Sequence, residues 1–110
     1  MTYNRGDVIW GPEPFKPAVK PRPWVIISNE NHPFHGEEYL AVTLTTTKRP
    51  EALEIIESHW IEGSAPRKSY AAPWVVITIK HKDIKEKIGK LDLDFLDKIV
   101  ENLESYICQS

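Results

Sequence analysis

The chain predicts a mainly β (α+β) fold: a strongly curled, SH3-like barrel closed by one C-terminal amphipathic helix. Three observations predict it. Short apolar, β-branched and aromatic runs, separated by Gly, Pro and Asn, dominate up to residue 90. The period then changes, with Leu96, Ile99, Val100, Leu103 and Ile107 recurring at three- and four-residue intervals as one apolar stripe. The 110 residues can bury one core but not two. The expectation is a single domain over 1–110 with its helix at about 93–107, built from short strands wrapped on themselves.

Taken in order, strands are expected at Val8–Trp10, Trp24–Ser28, Tyr39–Thr45, Leu53–Glu57, Tyr70–Ala72 and Trp74–Ile79, with a short one near Lys87–Lys90. Pro12, Pro14, Pro17 and Pro21 make the first connection a stiff loop. Pro23 fits only at a strand start, which puts Arg22 at the loop–strand junction. Pro73 interrupts an apolar run and reads as a break between two strands. Asp92 is a natural N-cap, and acids follow it where the helix dipole favours them.

Composition narrows the function classes. The longest apolar runs fall well short of the roughly 20 residues of a membrane helix. No apolar stretch follows Met1-Thr2-Tyr3-Asn4-Arg5, so a cytoplasmic protein with no membrane association is expected. Cys108 is the only cysteine, which rules out an intrachain disulfide. The formal net charge is -2. Five acids and one base follow residue 91, whereas residues 1–91 carry thirteen bases against eleven acids. An acidic terminal helix on a slightly basic body suits a protein that grips a short stretch of RNA, and it also suits an ordinary surface.

Four groups of residues carry the chemistry. Arg22 stands between Pro21 and Pro23, each of which restricts the backbone, so its guanidinium is preorganised for a phosphate. A loop-mouth arginine is also expected to be replaceable without loss of folding. Thr43 and Thr45 share a strand face, and Thr46 and Thr47 follow at its end. His32 and His35 lack a third ligand nearby, so no metal site is expected, and His59 reads as surface. His81, flanked by Lys80 and Lys82, is placed to meet RNA. Single-stranded RNA stacks on exposed aromatics, and Phe15 or Phe34 suit that role better than the tryptophans, of which one or two are expected to be accessible. No Gly-rich phosphate loop, nucleophile elbow, HExxH or Cys pair is present.

Read together, the short segments resemble the MazF/PemK (Kid) family of type II toxin endoribonucleases. Arg5-Gly6-Asp7-Val8-Ile9-Trp10 is similar to that family's opening, and Arg22-Pro23-Trp24-Val25-Ile26-Ile27-Ser28-Asn29 to its second strand. Leu40 to Thr45, Ser69-Tyr70 with Val75, Thr78 and Ile79, and Ile88-Gly89-Lys90-Leu91 follow in the family's order.

The resemblance implies an SH3-like barrel that dimerises and cleaves single-stranded RNA without a cofactor. Transesterification by the ribose 2′-oxygen would leave a 2′,3′-cyclic phosphate and a 5′-hydroxyl. It implies Arg22 and Thr45 as catalytic residues, and a cognate antitoxin peptide as partner, through which any contact with DNA would come. Lys16, Lys20, Phe15, Thr46, Thr47, Ser69, Lys80 and His81 are the expected RNA-binding residues. The chain departs from the family pattern in its proline-rich first loop. It also has Ala72 and Trp74 where some members carry an arginine and an acid. A catalytically inactive barrel that binds RNA or a protein partner is therefore the alternative expectation.

Overall fold

The computed structural model describes residues 1–14, 20–65 and 67–108. Seven strands form one antiparallel sheet: β1 Asp7–Gly11, β2 Arg22–Ile26, β3 Glu38–Thr45, β4 Leu53–Ile55, β5 Trp60–Gly63, β6 Ser69–Lys80 and β7 Glu86–Leu91. Their spatial order is β4-β6-β3-β2-β1-β7-β5, and helix α1 (Leu93–Ser105) follows β7.

Curling follows from the connectivity. β4 and β5 occupy opposite edges of the sheet. Only residues 56–59, including a 3-10 turn at Glu57–His59, join them. Five peptide steps reach at most roughly 18 Å. The two edges must therefore bend towards each other into a nearly closed barrel.

Alternation along the strands feeds two apolar clusters, because successive side chains leave opposite faces of the sheet. Val8, Val25, Val42, Leu44 and Leu91 meet Phe95, Leu96 and Ile99 of α1 on one side. Ile9, Trp24, Ile26, Tyr39, Ala41 and Ile79 pack on the other. Gly11 is bare of a side chain where Ile79 and the Trp24 ring close on β1, and a Cβ there would collide with Ile79. The helix begins as expected: Asp92 Oδ1 accepts from the Phe95 backbone N–H at 2.7 Å. Val100 and Leu103 pack at the margin of the first cluster, while Ile107 lies beyond the helix and stays exposed.

Three sequence expectations change. Pro73 does not divide two strands. β6 runs unbroken through it, and the missing N–H is absorbed in a bulge. A strand absent from the expected set, β5, opens at Trp60 and pairs with β7. His59 is only partly exposed, because its ring stacks on Phe95 with centroids 4.2 Å apart.

Lys87 ties β7 to both of its neighbours, lying 3.3 Å from Asp7 of β1 and 3.2 Å from Glu62 of β5. Asp7 is buried, and its other carboxylate oxygen accepts from the Asn4 backbone N–H at 2.8 Å. Partial burial works against the Lys87 ammonium. Its hydrogen bonds to Glu62 and Asp7, with their negative charge, outweigh that and hold its pKa above the ordinary lysine value.

Candidate nucleic-acid interface

β2, the end of β3 and the adjoining part of β6 border an open groove of about 310 Å³. Arg22, Thr43, Thr45, Thr47 and Arg49 line it together with Ala72, Trp74 and Val75. The pairing explains the convergence: Trp24 lies opposite Thr43, which brings the start of β2 beside the end of β3.

Arg22 is anchored from behind. Its Nη1 lies 2.6 Å from Oε2 of Glu13, whose side chain is 6% exposed against 35% for the arginine. The ion pair holds one edge of the guanidinium and leaves the remaining N–H donors for a ligand. Thr45 is also fixed, since its Oγ1 accepts from the Thr47 backbone N–H at 3.1 Å. Its hydroxyl proton stays available to an oxygen in the groove. The buried Thr43 hydroxyl makes only a long contact, 3.4 Å, to the Leu44 carbonyl.

Trp74 reaches the groove through the bulge in β6. Val42 of β3 pairs with Val76, yet the next residue, Thr43, pairs with Ala72. Pro73, Trp74 and Val75 therefore have no partner on β3. Pro73 turns inward and is fully buried, and Trp74 turns outward, 41% exposed.

The expected site residues separate into several places. Arg22, Thr45 and Thr47 come together in this groove. Thr46 and Ser69 line a neighbouring apolar cavity of about 240 Å³ with Trp10, Leu44, Trp60 and Ile88. There the Ser69 hydroxyl donates to the Arg67 carbonyl at 2.9 Å. Lys20 borders a separate depression beside Trp10 and Lys85. Lys80 and His81 stand at the other end of the β3–β6 pair, roughly 20 Å away along the strand from Thr45 to Tyr39. At that end Tyr39 accepts from the Tyr3 backbone N–H at 3.1 Å, and its hydroxyl meets Nδ1 of His81 at 2.8 Å. Phe15 and Lys16 lie outside the described residues.

Sequence reasoning singled out Thr43 on the strand face and Trp74 as a departure from the family pattern without assigning either to the RNA site, and it missed Arg49 and Glu13. Arg49 had a readable signal, because Thr43, Thr45, Thr47 and Arg49 continue one alternation of period two past the strand end. Among the described residues no three His, Cys, Asp or Glu side chains cluster as metal ligands would. No helix among them is long and apolar enough to cross a membrane.

A curled antiparallel barrel with two guanidinium groups beside a row of threonine hydroxyls has the donor chemistry that suits phosphate oxygens. The chain belongs to the PemK-like, MazF-like toxins of type II toxin-antitoxin systems, whose family model matches residues 4–107. No curated protein matches it in sequence.

Solved structures share its fold. An endoribonuclease in complex with its cognate antitoxin, from a mycobacterial species, superposes with a TM-score of 0.74 at 21% identity, covering 99% of this chain and 96% of that one. The Mycobacterium tuberculosis toxin MazF-mt6 gives 0.71 at 18% identity, covering 94% and 98%. The MazE-MazF structure from Deinococcus radiodurans gives 0.74 at 13% identity, covering 100% and 99%.

Proposed function

We propose that the protein is the toxin of a toxin-antitoxin pair and cleaves single-stranded RNA at the Arg22–Thr45 groove. The observation that carries this reading is the placement of the anchored Arg22 guanidinium beside the Thr43 and Thr45 hydroxyls. The family membership and the endoribonuclease relatives of the same fold agree with it.

In the proposed reaction the ribose 2′-oxygen attacks the adjacent phosphorus and the bond to the 5′-oxygen breaks. The products are a 2′,3′-cyclic phosphate and a 5′-hydroxyl. The 2′-hydroxyl gives up its proton and the departing 5′-oxygen takes one. Arg22 stabilises the charge that builds on the non-bridging oxygens, and the preorganised cation needs no rearrangement to do so. Thr45 donates to a phosphate oxygen and keeps the attacking and leaving oxygens in line. Arg49 holds a flanking phosphate.

An antitoxin segment with acidic residues would compete for the same cations, folding onto the groove as it binds. The chain acts as a homodimer in this reading, with Ile56, Ile61 and Leu93 among the large apolar side chains left exposed on one protomer. It acts in the cytoplasm, where its RNA substrate is found.

The test is cleavage of a long mixed-sequence RNA by purified protein in EDTA, with the new ends mapped. Cyclic phosphate and 5′-hydroxyl ends that vanish with Arg22→Ala are the expected result. One observation favours a barrel that binds without cutting: among the described residues, no carboxylate or imidazole lines the groove. Binding of intact RNA with no new ends would establish that alternative.

A further inference from the structure

We propose that Trp74 is a stacking platform for a nucleobase of the bound strand, placed there by the bulge in β6. The inference rests on the reading of the groove as an RNA site and names a contact within it.

A regular ladder would hold every residue of β6 in register with β3, alternating between the two faces of the sheet. The chain instead spends three residues, Pro73 to Val75, between two consecutive partners on β3. Fully buried Pro73 pins the base of the bulge, so the outward turn of Trp74 is fixed from beneath. The cost is a tryptophan left 41% exposed in a protein whose Trp24 is completely covered.

Its surroundings say what the ring is for. The same groove is lined by Arg22, Arg49 and three threonines, which suit phosphate and ribose oxygens. A ligand that brings anionic oxygens to these guanidinium and hydroxyl groups and a flat π-face to the neighbouring indole is a nucleotide within a single strand. A base on an indole face stacks whatever its identity, so Trp74 contributes affinity and positions the strand without setting a sequence preference.

The test uses a fluorescent single-stranded 2′-O-methyl RNA, which lacks the attacking hydroxyl and reports binding alone. A base-free 2′-O-methyl ribose-phosphate oligomer of equal length is the comparison. Wild-type protein is expected to prefer the base-bearing strand, and Trp74→Ala to weaken that binding about tenfold while binding the base-free oligomer unchanged. Trp74→Phe should recover most of the loss. On cleavable RNA, Trp74→Ala should raise KM with little change in kcat.

Trp74→Ala that binds both oligomers like wild type overturns the proposal, and if Arg22→Ala still abolishes cleavage the RNA reading survives it. Equal loss on both oligomers, or failure of phenylalanine to rescue, assigns Trp74 a structural role and also overturns it. So does a change of dimer to monomer by light scattering, which would place the ring between two copies. A wild-type protein that neither binds nor cleaves RNA removes both readings.

Discussion

Glu13 and Arg22 form a one-sided ion pair: an almost fully covered carboxylate holds a guanidinium that is about a third exposed, 2.6 Å away. The carboxylate fixes the arginine, and in the proposed reaction that one contact couples catalysis to folding.

Removing Arg22 is therefore expected to have two effects. Arg22→Ala should lower cleavage by two to three orders of magnitude, roughly the loss of one transition-state charge donor. It should also destabilise the fold by about 1–3 kcal/mol, because a covered carboxylate loses a charged partner. Arg22→Lys should restore little activity, since a point charge does not replace a planar fork on a phosphate. Cleavage of a fluorescent RNA in EDTA and thermal melts of each variant check both.

Glu13→Gln keeps the shape and removes the charge. Arg22 then swings between rotamers, and cleavage should fall about tenfold to a hundredfold through kcat, since positioning rather than binding is lost. Combined with Arg22→Ala, the substitution should cost less than the sum of the two single changes. Strict additivity in melts and in rate would show that the ion pair does neither job.

Thr45→Val is nearly isosteric, and its expected loss of one to two orders of magnitude in rate reflects one hydrogen bond. Part of the effect is indirect, since the Thr47 N–H loses its acceptor. Thr45→Ser, which keeps the hydroxyl, should retain most activity in the same assay.

Lys87 predicts an alkaline limb in stability. Its pKa is raised in the folded protein, so its contribution is complete below the ordinary lysine pKa and disappears as pH rises through the higher folded value. Lys68, raised by its hydrogen bond to Glu54, adds the same sign, but it is exposed and screened. Thermal melts from pH 9 to 12 should fall for wild type and flatten for Lys87→Met. Parallel curves would remove Lys87 from the account.

Much of this molecule was legible in its sequence where neighbours in the chain decide the structure. β1, β2, β3 and the Asp92-capped helix announce themselves by alternation, proline placement and a 3.6-residue stripe. β5 does not, because as an edge strand it is mostly exposed and has no apolar rhythm. The bulge was hidden for another reason. Pro73 reads locally as a break, and only the register with β3 shows that the strand continues. The same limit applies to the site: Thr45 and Thr47 come from one strand end, whereas Glu13 and Trp74 join them through pairings that no local pattern encodes. Lys80 and His81 looked adjacent to the chemistry in sequence, and twelve residues of β6 carry them to the far end.

The four-residue connection between β4 and β5 has a consequence for how the protein behaves at high concentration. In an open sheet, two unpaired borders would each offer backbone donors and acceptors to another molecule. Here both borders face one depression, lined by Ile55 of one and Trp60 of the other, with Arg67 and Lys68 beside them. Lys68 is itself paired with Glu54 at 3.3 Å, so charged side chains of both signs flank a space already narrowed from both sides. Strand addition is thus confined to a single charged seam rather than two open borders.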